Sequence, residues 1–98
     1  MKTTYIELEK LTEKYLVKKV KALGGLTVKG NSNNFRGFPD RVICLSHGKV
    51  AFLEVKSEGK TTTALQQHWL DTLSGLGFRV GVVDTKESVD KFLEEIIS

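Results

Sequence analysis

The sequence has little cysteine, little proline and no long apolar run. It contains one cysteine and one proline among 98 residues, which excludes an internal disulfide bond and a paired-cysteine metal motif. Cys44 lies inside the apolar run Val42-Ile43-Cys44-Leu45, and we interpret it as a core residue. No stretch has the length and hydropathy of a signal peptide or a membrane span. We therefore expect no membrane partner and a cytoplasmic location.

The length and composition indicate one folded domain over residues 1–98. Hydrophobic residues make up 40% and charged residues 28% of the chain, which is typical of a folded protein rather than a disordered one. The chain is too short for a second domain, and a domain of this size would gain stability by associating with a second copy. The sequence shows no internal repeat and no low-complexity tract.

The charge of the chain is moderately basic. A net charge of +3 and an isoelectric point near 9.1 favour a polyanionic partner, although such values are common among proteins that do not bind nucleic acid. The basic residues form no block; they include Lys10, Lys14, Lys18, Lys19 and Lys21, then Lys29, Arg36 and Arg41. A solvated helix face explains any one of the lysines at least as well as a phosphate contact.

Periodicity and turn residues predict seven helices and strands. The predicted helices cover residues 5–23, 63–76 and 86–97, and the predicted strands cover residues 26–29, 41–45, 50–56 and 78–83. Gly24-Gly25 ends the first helix, Thr63 caps the second, and residues 30–34 form a polar loop. The turn Ser46-His47-Gly48 joins two strands into an antiparallel hairpin. The fold class is therefore α/β, with helices around a mixed sheet.

Apolar residues mark the faces that these elements are expected to bury. In the helices they are Ile6, Leu16, Val17, Val20 and Leu23, then Leu65, Trp69, Leu73 and Leu76, then Val89, Phe92, Leu93 and Ile96. The strand at 78–83 is nearly all apolar, which predicts a central strand that is covered on both faces.

The third strand ends in two charges that an apolar strand does not explain. Val50-Ala51-Phe52-Leu53-Glu54-Val55-Lys56 is apolar enough to be buried, yet burial of charges is costly unless they are paired or bind something. Because side chains alternate along a strand, Glu54 and Lys56 project from the same face. We expect them to share one pocket.

Asp40 is expected to join that pocket. A chain that folds back at residues 46–48 pairs positions symmetric about 47, which sets Asp40 opposite Glu54. Two carboxylates in this position repel each other, and a divalent cation between them removes the repulsion. Hard oxygen ligands suit Mg²⁺ or Mn²⁺ rather than zinc.

The first helix carries two further acids. Glu9 and Glu13 lie one turn apart within the apolar arc of this helix. Either could reach the pocket as another carboxylate, and a salt bridge to Lys56 would explain either one without catalysis. The functional interpretation is stronger for Glu13 than for Glu9.

These residues resemble the PD-(D/E)XK nuclease signature. Pro39-Asp40 is followed after thirteen residues by Glu54-Val55-Lys56, and the order helix-strand-strand-strand-helix-strand-helix is similar to that superfamily's restriction-endonuclease-like core. More narrowly, four blocks resemble the virus-type replication-repair nuclease (VRR-NUC) domain: Glu13-Lys14-Tyr15-Leu16 before Gly24-Gly25, Arg36-Gly37-Phe38-Pro39-Asp40-Arg41, Phe52-Leu53-Glu54-Val55-Lys56, and Leu65-Gln66 before Trp69. The resemblance covers essentially the whole chain.

The resemblance implies metal-dependent hydrolysis of DNA phosphodiester bonds. Asp40, Glu54 and the Val55 carbonyl would hold Mg²⁺ or Mn²⁺, Lys56 would orient or deprotonate the attacking water, Glu13 would act through the metal shell, and Gln66 would position water or substrate. Stand-alone members are phage and bacterial proteins similar to Holliday-junction resolvases and act as homodimers. The resemblance thus implies a branched or structured DNA substrate, a homodimer, and a bacterium or phage-infected host.

Several interpretations stay open on the sequence alone. Thr63 and Gln66 have the spacing of a capping box, which competes with a catalytic role for Gln66. His47 is expected in a turn, His68 is a weak candidate for substrate contact, and Trp69 and Phe52 are expected in the core rather than stacked on bases. A flap, single-strand or restriction nuclease would use the same site, while a non-catalytic nucleic-acid-binding module or a subunit of a larger assembly would not need it.

Overall fold

A computed structural model describes residues 4–30 and 34–98, without the side chains of residues 5 and 6. The elements are α1 (Tyr5–Ala22), β1 (Leu26–Lys29), β2 (Arg41–Leu45), a 3-10 turn (Ser46–Gly48), β3 (Lys49–Val55), α2 (Ala64–Gly75), β4 (Arg79–Val83) and α3 (Lys86–Ile97). The predicted order of helices and strands is confirmed. The predicted polar loop falls largely on residues 31–33, which lie outside the described residues.

Each helix begins with the same local device. Thr4, Thr63 and Thr85 are N-caps, and each side chain accepts a hydrogen bond from the backbone of the residue three positions later, whose own side chain binds back to the cap. This reciprocal capping box satisfies backbone donors that a helix start leaves unpaired. The three helix starts are thus fixed by local sequence.

The four strands form one mixed sheet in the order β1-β2-β3-β4. β1 with β2 and β2 with β3 pair antiparallel, whereas β3 and β4 pair parallel, with α2 as their crossover. In the hairpin Arg41 lies opposite Leu53, so the next position along each strand sets Asp40 against Glu54. The predicted hairpin register is confirmed.

The main core lies on one face of the sheet, between the strands and helices α1 and α3. Its buried members are Leu16, Val20, Ile43, Leu45, Ala51, Leu53, Val55, Val83, Val89, Leu93 and Ile96. Gly81 permits the close packing of α3, because a Cβ there would lie 2.8 Å from the ring of Phe92. Across the described residues, no helix is both long and apolar enough to cross a membrane.

The structure corrects the prediction of a central fourth strand. β4 is the edge of the sheet, and Val82 is 42% exposed. The parallel crossover sets β4 beside β3, and no strand of the described chain follows it on that side. An apolar run can therefore belong to an edge strand as well as to a covered one.

The predicted buried residues of the helices are corrected in part. On α2 the buried residues are Leu70 and Leu73, whereas Leu65 and Leu76 are exposed, because the helix contacts the sheet along its 70–73 side. On α1, Leu16 and Val20 are buried as predicted, but Leu23, at the helix end, is exposed. The predicted role of Ile6 lies outside the described side chains. Cys44 is half-buried rather than part of the main core.

Candidate active site

The acidic and basic candidates meet at one end of the sheet. Asp40 directly precedes β2, Glu54 and Val55 end β3, and Lys56 follows them. The Lys56 backbone N–H donates to the Val83 carbonyl at 2.9 Å, which continues the pairing of β3 with β4 past the last strand residue. The ends of two neighbouring strands therefore fix the backbone at this site.

The segment that leads to Asp40 is anchored on α2. The Trp69 indole Nε1 donates to the Arg36 carbonyl at 2.8 Å, and the Trp69 ring packs edge-on against Phe35 and Phe38. Gly37 has a φ of +82°, and a Cβ there would lie 2.7 Å from the Leu65 side chain. Only glycine meets both conditions without strain. Trp69 thus holds the segment that carries Asp40, and its half-buried packing agrees with the expected structural role.

A backbone hydrogen bond orients the Asp40 carboxylate. The Val55 N–H donates to Asp40 Oδ2 at 2.8 Å, and the Asp40 carbonyl accepts from the Gly30 N–H at 2.8 Å. Asp40 therefore connects three strand ends, and its carboxylate is turned toward β3.

Glu54 is a buried acid with one unsatisfied oxygen. The residue is 2% exposed. Its Oε1 accepts from Gln66 Nε2 at 3.4 Å, whereas Oε2 has no hydrogen-bond partner in the part of the chain that the structure describes. Burial raises the pKa of Glu54 to about 9; the adjacent Asp40 carboxylate and, to a lesser extent, Glu9 add to this rise, whereas the Lys56 charge opposes it. The charges of Asp40, Lys56 and Glu9 thus all influence the ionisation of Glu54 at this end of the sheet.

Gln66 combines the two roles that the sequence left open. Its side-chain oxygen accepts from the Thr63 backbone N–H at 2.9 Å, and the Gln66 backbone N–H donates to Thr63 Oγ1 at 3.2 Å, which completes the capping box. The amide nitrogen of the same side chain reaches Glu54. The helix cap therefore orients the group that contacts the buried acid.

The structure separates the two acids of α1. Glu13 forms an ion pair with Arg41, whose Nε lies 2.7 Å from Glu13 Oε2. The pKa of Glu9 is raised by burial and by the charge of Asp40, with Lys56 acting in the opposite direction and Glu13 adding to the rise. Glu9 therefore lies within the electrostatic reach of Asp40 and Lys56, whereas Glu13, which the sequence favoured, pairs with Arg41.

The sequence did not assign Arg41 a role at the site. Strand alternation places Arg41 on the same face as Ile43 and Leu45, the face covered by α1. That alternation was the available signal, since it predicts that Arg41 can reach an acid on α1. His47 lies in the turn as expected, with a φ of 66°, and the exposed His68 lies beside Trp69, with ring centroids 6.3 Å apart.

The donor set suits a hard divalent cation that keeps part of its water shell. Among residues 4–30 and 34–98, no three His, Cys, Asp or Glu side chains cluster closely enough to hold a metal ion. Two adjacent carboxylates do meet, and one has an unsatisfied buried oxygen. Mg²⁺ is commonly held by one or two carboxylates together with water and substrate phosphate. The residues present therefore fit such an ion.

The fold and the site together indicate the class of protein to which this chain belongs. A mixed sheet flanked by helices, with Asp40, Glu54 and Lys56 at one end, is the arrangement of PD-(D/E)XK nucleases. Residues 5–87 match the model of the VRR-NUC domain, and the chain belongs to the VRR-NUC domain family of nucleases.

Individual relatives agree with this family. A curated protein named "Putative nuclease p44", from Acyrthosiphon pisum secondary endosymbiont phage 1, is 39% identical over 75 residues, which are 76% of this chain and 81% of that protein. A solved structure described as a VRR_NUC domain superposes with a TM-score of 0.83 at 31% identity, covering 89% of this chain and 95% of the other. A second, a VRR_NUC domain protein, has a TM-score of 0.69 at 15% identity over 99% and 90% of the two chains, and supports the fold alone.

Proposed function

We propose that this protein is a Mg²⁺- or Mn²⁺-dependent deoxyribonuclease that hydrolyses phosphodiester bonds in branched DNA. The observation that carries the proposal is the buried Glu54 carboxyl, which lies against Asp40 and within the electrostatic reach of Lys56. A buried acid that shares its site with a second acid is costly for folding alone. A bound divalent cation that takes part in the reaction would offset this cost, which explains why the two acids lie together.

Asp40 and Glu54 would hold the metal, with the Val55 carbonyl as a third ligand. The Val55 N–H points to Asp40, and because the N–H and C=O of one strand residue point to the same side, its carbonyl lies on that side as well. A bound Mg²⁺ or Mn²⁺ supplies charge neutralisation at the phosphate and a lower pKa for its water.

Lys56 and Gln66 would complete the chemistry. The Lys56 ammonium can orient the attacking water and stabilise the negative charge that develops on the phosphate oxygens. Gln66 keeps one Glu54 oxygen in place through its amide, so the other oxygen remains available to a ligand. Glu9, which faces Asp40 and Lys56, would bind water at the edge of the metal shell, with Glu13 beside it held by Arg41.

The proposed substrate preference and assembly rest on the family resemblance. One small basic domain reads mainly the DNA backbone and its shape. A four-way junction has two equivalent strands, so a twofold homodimer with two active sites matches its symmetry. Exposed apolar side chains, including Leu26, Val28 and Phe78, provide surface that a second copy could cover.

Substitutions at the three central residues test the catalytic proposal. We expect Asp40→Asn, Glu54→Gln and Lys56→Ala each to abolish cleavage of labelled DNA while largely preserving DNA binding, because the first two remove metal ligands and the third removes the cation that acts on the phosphate. The exposed Lys91→Gln on α3 serves as the control and should cleave like the wild type. Full wild-type activity in EDTA would contradict the metal-dependent mechanism.

A substrate panel tests the DNA structure. Four-way junctions, flaps, duplexes and single strands of the same sequence are incubated with the protein and Mg²⁺ or Mn²⁺ at moderate salt. We expect the junction to be cut fastest, with symmetrically placed nicks. Equal cutting of all four substrates would contradict the preference for branched DNA. A sedimentation mass that corresponds to one protein chain bound per junction would contradict the dimer.

A further inference from the structure

A cationic groove of about 660 Å³ lies between α1 and the part of the sheet where β1 ends and β2 begins. Six cationic side chains line it: Lys10, Lys14, Lys18, Lys21, Lys29 and Arg41. Among the described residues, Glu13 is the one carboxylate that lines the groove, and Arg41 already pairs with Glu13. The groove thus carries a large positive excess, although the chain as a whole has a net charge of only +3.

One end of the groove lies close in the chain to the candidate active site. Arg41 directly follows Asp40 and lies opposite Lys29 in the sheet register. On the other wall Glu9, which faces the site, lies directly before Lys10. The remaining lysines of the groove then continue along α1 away from the site. One end of the groove is therefore lined by residues adjacent in sequence to Asp40 and Glu9, and the other lies near the end of α1.

The spacing of the lysines fits a chain of phosphates. Lys10, Lys14, Lys18 and Lys21 share one helix face and span roughly 16 Å along the axis at 1.5 Å per residue. Phosphates follow one another along each DNA strand with an axial rise of about 3.4 Å, so a row of this length can contact several phosphates of one strand. Lys19 lies on another side of the same helix, where its ammonium is 3.6 Å from Asp90. The helix thus separates the lysines of the groove from one that contacts α3.

We propose that this groove binds the sugar-phosphate backbone of the DNA on one side of the scissile bond and delivers the strand to Asp40 and Glu54. This inference rests on the proposed nuclease function. Contacts of this kind position DNA without reading its sequence. The groove lysines therefore contribute to affinity and to the salt dependence of binding, and they leave the chemical step unchanged.

The test compares two double variants with equal loss of charge. Lys14→Gln with Lys18→Gln removes two groove cations, whereas Lys86→Gln with Lys91→Gln removes two cations from α3. Binding of a labelled duplex and a labelled four-way junction is measured by fluorescence anisotropy in EDTA over a range of salt concentrations. We expect the groove variant to reduce the slope of log affinity against log salt by about 2 and to bind at least about tenfold more weakly at 0.1 M salt. The α3 variant should change little.

Two further measurements make the result specific. Lys14→Arg with Lys18→Arg keeps both charges and should retain the wild-type slope. In cleavage assays the groove variant should show a lower kcat/KM with kcat preserved at saturating DNA, since its defect is in binding. Unchanged DNA binding in the groove variant, or an equal loss of DNA binding in the α3 variant, would contradict the proposal that the groove binds the DNA backbone. Failure of the wild type to cut any DNA, with the slope difference present, would instead overturn the nuclease proposal alone.

Discussion

Glu54 combines a charge and a position that conflict. It lies among the apolar residues of β3, yet it belongs to a class of residue that is seldom buried without a partner. One oxygen contacts Gln66, the other has no partner in the described chain, and the nearest acid is Asp40. The folded protein without metal therefore favours the protonated form of Glu54, and a bound cation would favour the ionised form.

This conflict predicts a pH-dependent stability. The pKa of Glu54 is raised from 4.5 in an exposed chain to about 9 in the fold, chiefly by burial. The folded state then holds its proton while the unfolded state has lost it, so stability in EDTA falls as the pH rises from about 5 to about 9. Thermal denaturation followed by circular dichroism at several pH values measures this fall.

The matched control is Glu54→Gln, which has no acid to titrate at this position. Its melting temperature should change much less over the same pH range, and saturating Mn²⁺ at pH 8 should stabilise the wild type but not this variant. A wild-type melting temperature that is constant over the window would show that Glu54 ionises in the fold without cost.

At the level of the elements, the start of α2 has two tasks. Thr63 caps the helix, and the capping partner Gln66 extends its amide to Glu54. α3 begins with an equivalent box between Thr85 and Ser88, but that box makes no contact with the site residues in the described hydrogen bonds. The caps of α2 and α3 are therefore similar, and of these two only the cap of α2 contacts a site residue.

Removal of each cap separates stability from activity. Thr63→Ala and Thr85→Ala should each lower the free energy of unfolding by about 1 kcal/mol, because each loses one cap hydrogen bond. Thr63→Ala should also reduce kcat severalfold, since the first turn of α2, which carries Gln66, loses its side-chain cap, whereas Thr85→Ala should keep wild-type kcat. Urea denaturation and cleavage rates measure the two effects, and equal kcat values in both variants would contradict the coupling.

Much of the fold follows from local patterns in the sequence. The hairpin register was predictable because the turn at residues 46–48 and strand alternation leave one pairing that keeps Ile43 and Leu53 inside. The edge position of β4 was not predictable, because the apolar composition of a strand does not determine how many other strands pair with it. The predicted burial of Leu65 and Leu76 was wrong because helical periodicity gives only a stripe of residues that can contact the sheet. The angle at which α2 crosses the sheet then determines that Leu70 and Leu73 are buried.

For the whole molecule, the two faces of the sheet differ in how they stabilise the fold. One face holds the main core under α1 and α3, whereas the other is partly covered by α2 and a series of edge-on aromatic rings, namely Phe35, Trp69, Phe38, Phe52 and Phe78. The predicted core role of Phe52 and Trp69 thus corresponds to half-buried packing on this second face.

A pair of leucine substitutions measures the difference in burial. Leu53→Ala removes a fully buried side chain from the core and should cost about 2–5 kcal/mol in unfolding free energy. Leu76→Ala removes a side chain that is 70% exposed and should change stability by less than about 0.5 kcal/mol. Chemical denaturation of both variants provides the comparison, and a large loss in Leu76→Ala would contradict the observed position of α2.

The candidate site was predictable where it depends on neighbouring strands. Asp40, Glu54 and Lys56 follow from one hairpin and from alternation within β3. The choice between Glu9 and Glu13 depends on the tilt and rotation of α1 over the sheet, which a one-turn spacing in sequence does not determine. The partnership of Arg41 with Glu13 depends on the same packing.

The order of the elements along the chain has a consequence for synthesis. The acids, the lysine and the amide of the proposed site all lie between Glu9 and Gln66, whereas Val83, Val89, Leu93 and Ile96 of the core come later. A growing chain on the ribosome thus carries every reactive group before the packing that aligns them exists. If the proposed site cleaves DNA, we expect chains that still lack α3 to leave DNA uncut, which would protect the genome of the cell that makes them.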